Sequence, residues 1–113
     1  MKEQKKAKLR YSVKARRDLD AIWDYYVDEY QNVGAAVKII DAITADIDQL
    51  ADFPELGPPL SSIAAVDAGY RFLVTGNYLS FYRIDGTDIS IDRILYGRRD
   101  YISVLIEDML KNP

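Results

Sequence analysis

The sequence predicts an α+β domain of order β-α-α-β-β-β-α, an α-hairpin packed on a small, mainly antiparallel sheet. Three observations carry that prediction. Two stretches with apolar residues three and four apart are separated by a short break, which makes two antiparallel helical neighbours. From Gly69 to Tyr101, short runs of alternating apolar residues are joined by Gly-Asn and Asp-Gly turn pairs, which makes a three-stranded meander. Finally, 113 residues with 49% apolar content suffice for one core, and no repeat or linker marks a second domain.

The elements follow in order. Residues 1–7 read as a basic flexible tail, and residues 8–113 as the single domain. Lys8 to Val13 alternates, with Leu9, Tyr11 and Val13 on one face, as a half-buried strand does. Ser12 is placed to cap the helix that follows. Leu19, Ile22, Trp23, Tyr26, Val27 and Tyr30 then form the apolar stripe of a helix over 14–30. Asp20, Asp24 and Asp28 recur every fourth residue along its flank, and that spacing on a polar flank reads as solvated surface rather than a metal site. After the break at Gln31–Gly34, a second helix carries Ala36, Ile39, Ile40, Ile43, Ile47 and Leu50.

The run Phe53-Pro54-Glu55-Leu56-Gly57-Pro58-Pro59 ends that helix and opens a loop to Gly69. Tyr70–Thr75, Tyr78–Ile84 and Asp88–Leu95 are the remaining strands, the first two joined by a Gly76-Asn77 turn. A two-residue Asp85-Gly86 turn places Ile89 and Ile91 opposite Phe81. A three-residue Asp85-Gly86-Thr87 loop places them beside it and is preferred because it gathers the apolar residues. Ile102, Leu105, Ile106 and Met109 close the chain with one short helix.

Composition excludes several chemistries. There is no cysteine, so thiol and disulfide chemistry are absent, as fits a reducing cytosol. There is no histidine, which removes the usual general base and the commonest metal ligand. No cofactor, metal or small-molecule substrate is expected, nor is membrane insertion, and the chain reads as cytoplasmic. Net charge is −3, but residues 1–17 hold +7 and residues 18–113 hold −10. So acidic a body is a poor surface for neutralising phosphates.

The concentrated surface chemistry lies in and after the meander: Arg71, Arg83, Arg93, Arg98 and Arg99, with Tyr70, Tyr78, Tyr82, Tyr96 and Tyr101. Guanidinium and phenol groups on a sheet grip phosphate and stack on bases, or they anchor a protein interface. Taken singly, Arg83 and Arg93 are accounted for by pairing with Asp92, Asp100 or other carboxylates, and the tyrosines by core packing. Arg98, Arg99 and Tyr101 together, in a loop after the last strand, point to function.

From end to end the chain resembles the RelE/ParE superfamily of toxins from bacterial toxin–antitoxin modules. The matching pieces are LRYSVKARRDLDAIWDYYVDEY (Leu9–Tyr30), LADFPELG (Leu50–Gly57), YRFLVTGNYLSFYRI (Tyr70–Ile84) and DRILYGRRDY (Asp92–Tyr101). The resemblance implies an α-hairpin on a small antiparallel sheet, in agreement with the periodicity. It also implies a cognate antitoxin as partner. One branch of the superfamily cleaves mRNA on the ribosome with Lys, Arg and Tyr side chains. Against that branch, Arg71, Arg99 and Tyr101 stand at or near catalytic positions, but Leu73 and Leu79 replace two cations.

The branch typified by ParE, which poisons DNA gyrase without cutting a bond, is matched better by RDLDAIWDYY, DFPELG and RILYGRRDY; Tyr96 stands where a His is usual. The expected function is thus a ParE-like toxin that binds gyrase or another topoisomerase. Arg71, Arg93, Arg98, Arg99 and Tyr101 are the expected target-binding residues. The alternatives are a ribosome-dependent endoribonuclease and an inactive member that only binds antitoxin.

Overall fold

A strand meets a helix at Ser12, and that junction organises half the molecule. The computed structural model describes residues 6–65, 69–98 and 100–111. Strand β1 (Lys8–Tyr11) leads through Ser12, in extended conformation, into α1 (Val13–Asp24). The Ser12 hydroxyl accepts the Ala15 amide at 3.0 Å, as an N-cap does, and donates to the Asp92 carbonyl at 2.8 Å. The strand therefore stops two residues short of Val13, which starts the helix and is exposed. At the other end of β1, Ala7 donates its amide to Ala51, so ordered structure begins inside the segment expected to be tail; residues 1–5 lie outside the described residues.

The first helix is not one α-helix over 14–30. It runs to Asp24 and continues as a π-helical turn, Tyr25–Glu29. Gln31 then adopts a positive φ of 49°, and the Asn32 amide reaches back to the Tyr26 carbonyl at 3.0 Å, the long bond of a left-handed helix stop. Asn32 caps α2 (Val33–Asp48) by accepting the Ala35 amide. A 3₁₀ turn, Gln49–Ala51, completes that helix, and a second one, Leu60–Ser62, lies in the loop expected to be irregular.

Strands β2 (Arg71–Thr75), β3 (Tyr78–Asp85) and β4 (Asp88–Tyr96) form the meander, and α3 (Tyr101–Lys111) ends the chain. Sheet order is β1-β4-β3-β2, with β1 parallel to β4 and the other pairs antiparallel. The α+β class and the order of elements are as the sequence predicts. No helix among the described residues is long and apolar enough to cross a membrane.

The register at the second turn differs from expectation. Asp85 pairs with Asp88 across a two-residue Gly86-Thr87 turn, not across a three-residue loop. Ile89 and Ile91 consequently share the face of Tyr82 rather than that of Phe81. Gathering the apolar residues on one face is unnecessary because both faces are covered. Ile43, Ile47, Leu50, Ile22 and Ala15 of the α-hairpin pack on Leu73, Tyr82, Ile89, Ile91 and Ile94. On the reverse, Leu60 and Leu105 pack on Tyr70, Phe72, Leu79, Phe81 and Leu95.

A β-bulge reconciles the two faces. Phe81 pairs with Arg93 and Tyr82 with Ile91, leaving Asp92 as the extra residue. The added residue shifts the alternation by one, so Ile94 joins Ile91 under the hairpin while Arg93 turns to the reverse face.

The helix exit is clamped onto the sheet by Tyr82. Its hydroxyl donates to the Pro54 carbonyl at 2.8 Å and accepts the Gly57 amide at 2.9 Å. A Cβ at Gly57 would sit 2.3 Å from the Phe72 carbonyl oxygen, so only glycine permits this approach.

Candidate functional site

Four of the five expected target-binding residues, Arg71, Arg93, Arg98 and Tyr101, lie among the described residues, and their surroundings differ. Arg71 is partly buried and donates to the Gly57 carbonyl at 2.7 Å, holding the helix-exit loop against β2. Arg93 is the centre of a charge clasp. Its Nε and Nη2 donate to the two carboxylate oxygens of Asp18 at 2.8 and 2.9 Å, and its Nη1 donates to Asp108 at 2.8 Å. Lys14 binds the other Asp108 oxygen at 2.8 Å.

Asp18 also accepts the Ile94 amide, so α1 covers the edge of β4 beyond the end of β1. These bonds raise the Arg93 pKa, those to Asp18 foremost, against the opposing effect of burial. Burial likewise pushes the Asp108 carboxyl up, but the hydrogen bonds from Lys14 and Arg93 outweigh it and hold the group below its ordinary range. The side chain of Arg93 is only 14% exposed. Arg71 and Arg93 are thus partnered inside the chain.

The Arg98-Arg99-Asp100-Tyr101 cluster separates into individual roles. Arg98 is exposed and forms no hydrogen bond or ion pair among the described residues. Arg99 lies outside the described residues. Asp100 caps α3, accepting the Ser103 amide and hydroxyl. Tyr101 packs on the reverse face, its ring 5.4 Å from that of Phe81.

The nuclease alternative rests on Arg71, Arg99 and Tyr101, of which Arg71 and Tyr101 lie among the described residues. Strand alternation puts Arg71 on the face of Leu73 and Tyr82, whereas Tyr101 packs on the opposite face with Phe81. Leu73 and Leu79 are both core residues, one on each face. Asp20, Asp24 and Asp28 are exposed, and no grouping of carboxylates suited to a metal occurs among the described residues.

A surface that the sequence reading did not assemble lies where the α-hairpin turns against the end of the sheet. It is a groove of about 760 Å³ walled by Tyr25, Tyr26, Tyr30, Tyr78 and Tyr96 and floored by Ile22 and Ile94. The π turn builds one wall. Residues five apart align on a π-helix, so the Tyr25 and Tyr30 hydroxyls meet at 3.1 Å and their rings stack edge to face at 5.3 Å. Tyr26 and Tyr25 are likewise edge to face, and Tyr78 lies 5.8 Å from Tyr96 across the sheet end. Burial, then the neighbouring Tyr26 hydroxyl, raises the Tyr78 pKa, so its phenol stays neutral. Three tyrosines in six residues were a visible signal, but a period of 3.6 sends Tyr25 away from Tyr30.

Known proteins share this fold. Residues 9–101 match the family model described as ParE toxin of type II toxin-antitoxin system, parDE. Toxin ParE1 of Caulobacter vibrioides is 33% identical over 87 residues, which cover 77% of this chain and 85% of that protein. Toxin ParE1 of Mycobacterium tuberculosis is 32% identical over 87 residues, covering 76% and 85%. Among solved structures, a chain of the chromosomal ParDE toxin–antitoxin system from P. aeruginosa superposes with a TM-score of 0.68 at 27% identity, covering 82% of this chain and 98% of that one. A chain of the RelBE2 toxin–antitoxin complex from Mycobacterium tuberculosis gives 0.52 at 26% identity, covering 80% and 98%. With the matched segment running from the first strand to the start of the last helix, the chain belongs to the ParE toxin family of type II toxin–antitoxin systems.

Proposed function

We propose that this ParE-family toxin arrests growth by gripping a protein target such as DNA gyrase, breaks no bond itself, and is neutralised by a cognate antitoxin. The observation that carries this reading is the fate of the nuclease positions. Leu73 and Leu79 are packed into opposite cores, and Arg71 and Tyr101 belong to opposite faces of one sheet, which speaks against a shared phosphate site. The acidic body supports the same reading, because a protein target does not require the cationic surface that ribosomal RNA does.

Within the target-binding set, Arg98 and Arg99, which precede α3 in the sequence, make the contact, and Tyr101 anchors the start of α3 on Phe81. Arg71 and Arg93 act by holding the scaffold. The antitoxin reading is supported by the two solved neighbours, which are described as a toxin–antitoxin system and a toxin–antitoxin complex. It is supported too by apolar surface that calls for a cover, including Tyr25, Tyr30 and Val33 along the hairpin.

Purified protein is expected to inhibit supercoiling by DNA gyrase and to leave ribosome-bound mRNA intact. Arg98→Ala and Arg99→Ala should each weaken gyrase binding by about 1–2 kcal/mol if the two are interface anchors. Cleavage of ribosome-bound mRNA, lost in Arg99→Ala, would overturn the proposal.

A further inference from the structure

The tyrosine groove has a chemical preference that its shape alone does not convey. Its lining includes one charged residue, Asp18, whose two oxygens are taken by Arg93 and the Ile94 amide. What remains is mostly aromatic faces and phenolic oxygens, with the neutral carboxamides of Asn32 and Asn77 at the margin and small aliphatic groups between. Aromatic faces carry negative quadrupole potential and attract cations. The Tyr25–Tyr30 hydroxyl pair uses one proton for its mutual bond, so acceptor lone pairs remain on both oxygens.

The charge along the helical wall has the same sign. From Asp18 to Val37, the stretch that supplies Tyr25, Tyr26 and Tyr30, there are five acidic residues and no basic one. Asp20, Asp24, Asp28 and Glu29 are all exposed there. Acidic groups around a low-dielectric, aromatic recess draw a cation in and disfavour an anion.

We propose that this groove is a socket for a cationic side chain, and that the antitoxin segment covering the α-hairpin delivers an arginine or lysine into it. This rests on the antitoxin reading above and adds the chemistry of the contact. A guanidinium suits the site best, since it stacks on a phenol ring while its N–H groups donate to the tyrosyl oxygens.

The test uses the full chain purified with the product of the adjoining antitoxin gene. Tyr25 and Tyr96 are 46% and 41% exposed, so substitution there is compatible with folding, and a thermal melt of each variant checks it. Tyr25→Leu and Tyr96→Leu keep apolar bulk but remove the quadrupole, and each should weaken antitoxin binding about tenfold. Tyr96→Phe, which keeps the aromatic face, should stay within about twofold of wild type. Replacing each Arg and Lys of the antitoxin's toxin-binding segment by Met should find one whose loss is not additive with Tyr96→Leu.

If the wild-type pair binds and the Leu variants match it, or if Leu and Phe behave alike, the socket is wrong while the antitoxin reading stands. If the wild-type pair does not bind, both fall.

Discussion

On the hairpin face of the sheet, α1 and α2 lay a continuous aliphatic stripe on Tyr82, Ile89 and Ile91, and both helices are held within the chain by β1, Ser12 and the Asn32 cap. On the reverse face, α3 brings Leu105 onto Phe81 and Leu95, and a helix of only 11 residues must be held by something besides its own length. The difference is supplied by charge: Asp108 is gripped by Lys14 from α1 and Arg93 from β4. One face is closed by apolar area with the chain fixed at both ends, the other by a smaller apolar contact plus an ionic clasp. A larger apolar core and a smaller, charge-held cover are therefore built on the same strands, and Arg98 stands just before the cover.

Truncating one buried residue on each face should affect the two faces differently. Ile47→Ala removes a fully buried side chain under the hairpin and should cost about 2–5 kcal/mol, a large part of a domain's total of about 5–15 kcal/mol. The urea midpoint should fall for all probes together. Leu105→Ala removes a similar volume on the reverse face, but its effect should be local. Amide protection in α3 should collapse while the sheet and hairpin unfold near the original midpoint. Equal falls in the global midpoint for both variants would show that the faces form one cooperative unit.

That comparison also marks what the sequence could reveal. The hairpin stripe was legible because Ala36, Ile43, Ile47 and Leu50 are an uninterrupted 3.6-period signal and all four are buried. The Ser12 cap was legible because a hydroxyl between a strand and a helix has one good use. The register of the second hairpin was not. A bulge at Asp92 adds a residue without changing composition, and a search for one apolar face misreads a sheet buried on two. Arg93 as an ion-pairing residue was visible as a type, but not its partners, since Asp18 and Asp108 lie 75 and 15 residues away. The tyrosine groove stayed hidden because the π turn changes the helical period where Tyr25 and Tyr30 are set.

A second, smaller effect comes from titrating the clasp. Asp108 is held below its ordinary pKa in the folded chain. A carboxylate depressed by folding stabilises the structure above its unfolded value, about 4. That contribution is lost as pH falls through the lower folded value. Amide protection in α3 should therefore decline in acid before the hairpin loosens. Asp108→Asn should bring the decline to neutral pH, costing about 1.5–3 kcal/mol of α3 docking as charged hydrogen bonds are removed. An α3 equally protected in wild type and Asp108→Asn at pH 7 would show that Leu105 and its neighbours suffice to hold the helix.

The smallest expected effect concerns the corner of the hairpin. Gln31 holds a left-handed backbone at φ 49°, where a side chain costs roughly 1 kcal/mol and glycine costs nothing sterically. Gln31→Gly removes that strain but gives the unfolded chain more freedom, a loss of about 0.4–1 kcal/mol. The two nearly offset, so global stability should change by less than about 1 kcal/mol. What should change is the groove, because Gln31 sits between Tyr30 and Asn32, both of which line it. A stiff left-handed stop fixes where Tyr30 meets Tyr25, and glycine leaves that angle free to vary. Relaxation dispersion on the Tyr25 and Tyr30 rings should then report new microsecond-to-millisecond exchange in Gln31→Gly, with the α3 face unaffected. Unaltered ring dynamics would show that the π turn alone sets the tyrosine wall. Exchange spreading into α3 would show that the two faces are mechanically joined.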